Sequence, residues 1–556
     1  MNMTFRKPRG RVAGNAIRTK SVRSKTFPAP VNGWVTADSL IKARPASALR
    51  LENIFPLRDS ARVRGGKKWW SLVSGTPRSF LTYRAAGQEK LFLSTEDTMW
   101  DVTATIPKDD LYLLDEDGDP LLDQDGNPIF DNEPVSIPDV DGGYYSYVNF
   151  ATSGGTYYLI AVNGASDMVL YDGSAWTADP DFTNVNTNVL SHVSAYRNRL
   201  FFVENGTLNV WYLPVNSIAG VAENITLAGI FELGGAVLFT TTWSMDAGDG
   251  LDDKFVVIST QGEVAVFQGS DPGDAADWSL VGRYFMTAPL GMRAIMRAGG
   301  DVVVGTEEAW VPVSSAVSKD PAALSLVAAS EAIEPDWSYE ARTRREFPWE
   351  IVKWPSQNLA YVSLPTSSED PTLHYCFTVN IQTGAWCKYT GWNIRCMDLF
   401  QDQIYFAEPS GTVYQAEQGG DDDGIPYNPL WVGNFDDLKE PGKVKTIHQV
   451  RAHVRSRSEV LPKLSISTNY RVSLPAFPPA ATAQATGGIW DTSLWDGAVW
   501  DGGGGPMLVR PTMWQSVGAT GYAHAPQFQM TCSDPIRIEA EIIELTYTYE
   551  SGSLVV

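Results

Sequence analysis

The residues best suited to chemistry are the aspartates of an eight-residue phrase that occurs twice, as LLDEDGDP and then LLDQDGNP, from Leu113 to Pro128. Three of them have nearly the spacing of the ligands in an EF-hand calcium loop: Asp115, Asp117 and Asp119. However, Pro120 occupies the position of the loop glycine, and Gly126 occupies that of the bidentate glutamate. Because Asp-Gly between apolar pairs is a strong turn signal, we predict a solvated turn repeat, with a weak calcium site as the alternative.

A second acidic cluster, DAGDGLDD, spans residues 246–253. Its candidate cation ligands are Asp246, Asp249, Asp252 and Asp253. Gly and Asp are also the common residues of tight turns, and we favour a turn between two blades here. Beyond these weak candidates we predict no metal, and we predict no cofactor.

No motif identifies an active site. The sequence contains no GxSxG elbow, no Walker loop and no HExxH pair. STEDTMW and DGSAW are only fragments of the S-x-D-x-G-x-x-W phrase of sialidase-type propellers. A glycosidase needs two carboxylates facing each other across a cleft, and the sequence does not show which of its acids do so. We predict that the protein is not an enzyme.

The elements that would position such residues are short strands, which recur from about residue 70. Six phrases consist of a strand, a turn rich in Gly or acids, and a second strand carrying an aromatic residue. These aromatic residues are Trp100, Tyr171, Trp211, Phe267, Trp310 and Tyr414. Their spacing of roughly 40–55 residues, where no insertion intervenes, is typical of propeller blades. LHYCFTVNIQTGAWCKY, around Cys376, supplies one more unit.

We therefore predict an all-β protein with a β-propeller of six to seven blades over residues 71–424, interrupted by the acidic insertion 106–142. An array of β-sandwiches is the structural alternative. DPAALSLVAASEAIEPDWSYEARTRR, at 320–345, is predicted to be helical and divided by Pro335. Longer alternating strands after residue 424 predict a C-terminal β-sandwich or platform domain over 425–556.

The charge of the chain is divided unevenly. The net charge is −22, but residues 1–37 contain eight Lys and Arg and no acid, so the remainder carries −30. We predict a basic N-terminal arm over residues 1–30, which is either a disordered tail or an arm that orders against an acidic partner. The acidic body argues against tight binding to nucleic acid, because phosphates favour clustered Lys and Arg.

The segment 31–66 resembles the N-terminal signature of the tail nozzle proteins of short-tailed bacteriophages (podoviruses), also described as tail tubular protein B-like. The matching residues are Asn32, Gly33, Trp34, Leu51, Asn53, Phe55, Pro56, Arg64, Gly65 and Gly66. The last phrase is a looser match, because no residue separates Arg64 from Gly65. Residues 198–220, 243–282 and GATGYAHAPQF at 518–528 resemble the same family, whereas the acidic insertion and the arm do not.

The resemblance implies a structural protein of the virion, assembled in the host cytoplasm and located in the viral tail. It would form a homo-hexamer at the distal end of the tail tube, bound to the adaptor ring of the head-to-tail connector. Tail fibres or spikes would attach nearby, and the host envelope would be a further contact. Viral double-stranded DNA would pass through the channel during ejection, without sequence-specific binding. A platform would be built from an N-terminal segment, 31–70, together with the C-terminal domain.

Nine residues are predicted to contribute to interfaces of such an assembly. They are Arg6, Lys7, Arg9 and Arg11 of the arm, Trp34 and Phe55 of the signature, and Trp490, Trp495 and Trp500, which recur every five residues. For the three tryptophans, anchoring of their loop onto their own domain is the favoured alternative. The alternative function is a tail-associated propeller that binds or depolymerises host surface polysaccharide.

Overall fold

A computed structural model describes residues 22–116, 118–124, 126, 128–244, 253–319, 323–324, 328–345, 349–367, 370–457, 459–480 and 507–554. Within them the fold is all-β, a β-propeller joined to a platform of two packed sheets. The first strands of the chain are β1 Arg23–Pro28, β2 Ala48–Glu52, β3 Ile54–Pro56, β4 Ala61–Val63 and β5 Lys67–Leu72. The strand β1 lies inside the predicted arm, so the end of that arm is part of the folded platform.

Four blades follow in chain order, each an antiparallel sheet of four strands. The first contains β6 Ser79–Ala85, β7 Gln88–Ser94, β8 Met99–Asp101 and β9 Val135–Ser136; the second contains β10 Ser146–Ala151, β11 Tyr157–Val162, β12 Val169–Tyr171 and β13 Trp176–Ala178. After β14 Phe182–Thr183, the third contains β15 Leu190–Tyr196, β16 Arg199–Glu204, β17 Asn209–Tyr212 and, beyond β18 Gly220–Val221, β19 Glu223–Thr226. The fourth contains β20 Val237–Ser244, β21 Asp253–Ser259, β22 Glu263–Gln268 and β23 Ser279–Phe285.

The remaining propeller strands include one sheet shared with the platform. The fifth blade has three strands, β24 Ile295–Ala298, β25 Asp301–Gly305 and β26 Trp310–Pro312. Next come β27 Glu350–Trp354, β28 Leu359–Ser363, β29 Tyr375–Asn380 and β30 Ala385–Thr390, and the sixth blade contains β31 Cys396–Phe400, β32 Gln403–Ala407 and β33 Thr412–Ala416. The strand β5 pairs with β33 and so completes the sixth blade from the other end of the chain.

The first strands of these seven sheets lie around one axis. They are β6, β10, β15, β20, β24, β27 and β31, and each contributes residues to a single central cavity. Six positions of the ring are filled by separate blades, and β27–β30 fill the seventh as half of an eight-stranded sheet. The predicted propeller of six to seven blades is confirmed, and the seventh unit predicted around Cys376 is the β29–β30 hairpin.

The platform is a sandwich that uses both ends of the chain. Its C-terminal strands are β34 Leu430–Gly433, β35 Lys443–Ser456, β36 Lys463–Thr468, β37 Leu508–Pro511, β38 Gln515–Gly521, β39 His524–Gln529 and β40 Ala540–Leu554. One sheet has the order β3-β4-β40-β35-β37, with β1 paired to β40 and β38 paired to β35. The other continues the propeller sheet in the order β30-β2-β34-β39-β36. Apolar residues of both sheets, including Ile447, Leu545, Trp431 and Phe528, pack into one core.

The predicted helical stretch is shorter than expected. The helices among the described residues are α1 Val313–Ser318 and α2 Glu334–Thr343, with 3-10 turns at Lys108–Asp110, Thr187–Val189, Glu331–Ile333 and Pro355–Gln357. Pro335 lies in the first turn of α2 and does not divide a helix. Proline is tolerated there because the first backbone N–H groups of a helix have no intrahelical partner.

Candidate functional site

The signature residues meet at the junction between propeller and platform. Arg64 is fully buried, and its guanidinium donates to both carboxylate oxygens of Asp422, at 2.8 and 2.7 Å. Its Nε donates to Asn53 Oδ1 at 2.8 Å, and its Cζ lies 3.8 Å from the ring centroid of Tyr427. Asn53 in turn donates to Thr390 Oγ1 at 2.7 Å. One buried cation therefore joins the N-terminal segment, the β30 strand and the start of the platform.

Gly65 and Gly66 are explained by close backbone contacts. A Cβ atom added to Gly66 would lie 1.6 Å from the carbonyl oxygen of Asp421. A Cβ atom on Gly65 would lie 2.5 Å from the carbonyl oxygen of Glu417. Gly33 needs glycine for two reasons, since its φ is +72° and a Cβ would lie 2.5 Å from the carbonyl oxygen of Trp386.

Trp34 and Phe55, which we predicted as interface residues, are placed in the core instead. Trp34 packs on Phe377, with ring centroids 5.7 Å apart, and Lys388 Nζ lies 4.3 Å from its ring centroid. Phe55 is fully buried beneath Arg62. Large aromatic side chains lose water most completely between packed sheets, so these two hold the chain's own junction together. The other predicted interface residues, Arg6, Lys7, Arg9, Arg11, Trp490, Trp495 and Trp500, lie outside the described residues.

The cavity on the propeller axis has a volume of about 460 Å³ and a lining of both polar and apolar side chains. At its wall Arg293 donates to Glu350 Oε1 at 3.1 Å and to Ser79 Oγ at 2.5 Å, and it also donates to the carbonyl of Tyr145. Glu350 Oε2 accepts from the Met397 amide at 2.9 Å. This network connects the first, second and sixth blades with β27.

A second carboxylate, Asp398, also lines the cavity. Its Oδ2 accepts from the Tyr147 hydroxyl at 2.5 Å and from Thr82 Oγ1 at 2.8 Å. Burial raises the pKa of Asp398, and these two hydrogen bonds oppose that rise. Both cavity carboxylates are thus engaged in hydrogen bonds that connect neighbouring blades.

The opposite wall is neutral. Burial lowers the pKa of His192 to about 3, so the imidazole is uncharged at physiological pH. Its Nδ1 accepts from the Thr240 amide at 3.4 Å. Ser194 and Thr240 share a hydroxyl–hydroxyl bond of 2.6 Å. Sequence reasoning missed these residues and the Arg293–Glu350 pair, because single polar residues within hydrophobic strands carry no motif.

The Glu350 carboxyl gives a pH prediction. Burial raises its pKa to about 7 and outweighs the attraction of Arg293. The folded protein therefore holds this proton at pH values where the unfolded chain has lost it. The contribution of the protonated Glu350 carboxyl to the free energy of unfolding is thus full at acid pH and is lost as pH rises through about 7. In the wild-type protein the free energy of unfolding should therefore fall by about 3 kcal/mol between about pH 4.5 and 7. We expect the Glu350→Gln variant to lack this fall, because glutamine does not titrate.

Urea denaturation across that pH range measures this difference. Glu96→Gln is the matched control, because Glu96 pairs with Arg78 on the surface and its side chain is half exposed. An unchanged pH slope in the Glu350→Gln variant would show that Glu350 does not titrate between the two states in this window.

The acidic turn repeat forms a small structure of its own. Leu113 N donates to the carbonyl of Ile129, Ile129 N to that of Leu121, and Leu121 N to that of Leu113, each within 3.0 Å. The repeats thus close a triangle through isolated bridges, and Leu113 and Leu121 remain exposed. Asp115 Oδ1 accepts from the Asp119 amide at 2.9 Å, as in a turn. This turn geometry agrees with the predicted turn repeat.

Of the other candidate cation ligands, Asp117, Asp246, Asp249 and Asp252 lie outside the described residues. Across the described part of the chain, no group of three or more His, Cys, Asp or Glu side chains is arranged to hold a metal ion. Likewise, none of the helices found there is long and apolar enough to cross a membrane.

No family model and no curated protein matches the chain. Among solved structures, the β-propeller domain of Cps50 (Swd1) from Myceliophteria thermophila is 9% identical and aligns with a TM-score of 0.37 over 63% of this chain and 99% of its own. U3-55K is 11% identical, with a TM-score of 0.34 over 63% of this chain and 98% of its own. The extracellular domain of the putative hybrid two-component system BT3049 from B. thetaiotaomicron is 11% identical, with a TM-score of 0.38 over 68% of this chain and 45% of its own. At these values none of the similarities indicates a function.

Proposed function

We propose that this protein is a structural subunit of a short-tailed phage virion, the tail nozzle. Six copies would form a ring at the distal end of the tail tube, retain the end of the packaged DNA and pass the genome at ejection. The mechanism is mechanical, and no covalent bond is made or broken.

The observation that carries this proposal is the construction of the platform. The strand β1 pairs with β40 along six residues, from Arg23 opposite Tyr549 to Pro28 opposite Glu544. The strand β2 pairs with β34, and β4 pairs with β40. A propeller inserted between two chain ends that build one platform is the organisation that the resemblance to nozzle proteins implies. The signature residues lie at the junction that this organisation requires.

The charge of the chain supports the same proposal. A ring of chains with net charge −22 gives an acidic channel, which repels phosphate and lets DNA slide without being trapped. The six Lys and Arg of residues 1–20, which precede the platform strand β1, suit docking onto an acidic adaptor ring. Tail fibres or spikes, and the host envelope, are the further partners that a distal tail position gives.

The alternative, a propeller that depolymerises host polysaccharide, requires two carboxylates free to act across a cleft. In the axial cavity Glu350 is bonded to Arg293, and Asp398 is bonded to Tyr147 and Thr82. Their bonding favours a structural role for the cavity lining.

The test is the mass of the full-length protein in solution, alone and mixed with the portal–adaptor assembly of its phage. We expect a sixfold ring on that assembly. A stable monomer that does not bind the assembly would overturn the proposal, and binding and hydrolysis of surface polysaccharide would then be measured.

A further inference from the structure

We propose that copies of this chain dock head to tail through opposite edges of the seven-stranded platform sheet, with Met513 and Trp514 of one copy seated in a groove of the next. The proposal rests on the ring assembly proposed above and identifies the contact that builds it. A closed ring of identical chains requires two different, complementary surfaces on each subunit.

The sheet places these two surfaces at one level on opposite edges. At this level its order is β1-β40-β35-β38. Phe27 and Pro28 of β1 pair with Leu545 and Glu544 of β40, which pair in turn with Ala452 and His453 of β35. Thr512 N donates to the Ala452 carbonyl on the far edge, directly before Met513. Three strand spacings of about 4.8 Å separate the edges, so a rotation can bring one edge to the other.

The edge formed by β37 and the residues that follow it presents an apolar projection. Met513 is 81% exposed, and Trp514 lies over Arg451 with its outer part in solvent. Leu508 and Val509 of the neighbouring strand β37 are also about half exposed. The strand β37 pairs only with β35 within the part of the platform that the structure describes. Such a cluster of large apolar side chains on an edge strand marks an interaction surface.

The opposite edge, formed by β1, offers a groove of about 350 Å³. Phe27 of β1, Trp431 of β34 and Tyr470 line it, and Ile41, 69% exposed, lies at its rim. The strand β1 pairs only with β40 among the described strands. The groove can take a methionine side chain and the edge of an indole ring.

Charges beside the two surfaces are complementary. Arg510 is exposed next to the projection, and within the described ranges no carboxylate lies in ion-pair distance of it. Asp437 lines the groove and accepts a hydrogen bond from the Lys439 amide at 2.9 Å. Among the residues that the structure describes, no Lys, Arg or His side chain lies within ion-pair distance of it. Docking of the projection into the groove would pair these two charges, and for this reason we propose a second copy of this chain as the occupant.

Engineered cysteines test the contact directly. The four native cysteines are buried, so an added surface thiol is the reactive one. We expect full-length Met513→Cys and Ile41→Cys proteins, mixed and oxidised at high concentration, to form a crosslinked dimer of one chain of each kind. Each variant oxidised alone should remain uncrosslinked, because a head-to-tail contact brings Met513 next to Ile41 and not next to another Met513. Leu233→Cys, on an exposed propeller residue, is the control that should crosslink with neither.

Three results would overturn the proposal. Crosslinking of Met513→Cys with itself would show a symmetric dimer, and no mixed dimer would show that the edges do not meet. Slow labelling of Met513→Cys by a maleimide in the dilute monomer would show that the chain's own segment 481–506 covers the projection. A sixfold ring on the portal–adaptor assembly without the mixed crosslink would refute this contact and leave the nozzle function standing.

A charge exchange gives a second readout. We expect Asp437→Arg to weaken self-association at least tenfold and Arg510→Asp combined with Asp437→Arg to restore it. If the combined variant does not recover association, Asp437 and Arg510 do not pair across the contact, and the docking geometry is contradicted.

Discussion

Replacing Arg64 with methionine is expected to lower the free energy of unfolding by about 3–5 kcal/mol, one of the largest effects of any single substitution in this chain. The change leaves the Asp422 carboxylate buried without its bidentate partner and removes the donor to Asn53. Methionine keeps an apolar chain of similar length against the Tyr427 and Trp392 rings, so the effect reports the lost charge pair and not lost volume. Equilibrium denaturation in urea measures it.

Arg50→Met is the matched control. Arg50 pairs with Glu52 at 2.8 Å, but its side chain is nearly half exposed, and an exposed pair contributes about 0–1 kcal/mol. The double variant Arg64→Met with Asp422→Leu should recover a substantial part of the loss, because it removes the unpaired buried charge. Equal and small effects of Arg64→Met and Arg50→Met would contradict the role assigned to the junction.

Gly66→Ala is expected to cost about 4 kcal/mol or more, enough to prevent accumulation of folded protein. The added Cβ would overlap the Asp421 carbonyl oxygen at 1.6 Å. Neither backbone can move away freely, because Gly66 N donates to Gly419 O at 3.0 Å and Lys67 N donates to the Asp421 carbonyl oxygen at 3.2 Å. Soluble yield and the thermal unfolding midpoint are the measurements.

Gly229→Ala is its control, since a Cβ there meets no atom within 4 Å. We expect that variant to keep the wild-type yield and midpoint. A Gly66→Ala protein that folds with a wild-type midpoint would show that the junction relaxes around the methyl group, and the close approach would then not explain the glycine.

The sequence determined the repeating units of the propeller. All six predicted hairpin aromatic residues lie on the third strand of their sheet: Trp100, Tyr171, Trp211, Phe267, Trp310 and Tyr414. Hairpins were predictable because their turn residues and alternating side chains are adjacent in the chain. The longer strands of the platform, such as β35 and β40, were predictable for the same reason.

Only the tertiary structure decided how these units close and what they enclose. The sixth blade is completed by β5, more than 300 residues before β33 in the sequence, and β1 belongs to the platform and not to a free arm. Arg293 and Glu350 meet at the wall of the axial cavity although neither belongs to a motif. Pairings between distant strands depend on the complete arrangement of the sheets, and local sequence patterns do not encode them. The signature glycines and Arg64 were visible in the sequence. The reason why these positions require glycine and arginine, a crowded junction with a buried charge pair, appears only when the chain ends come together.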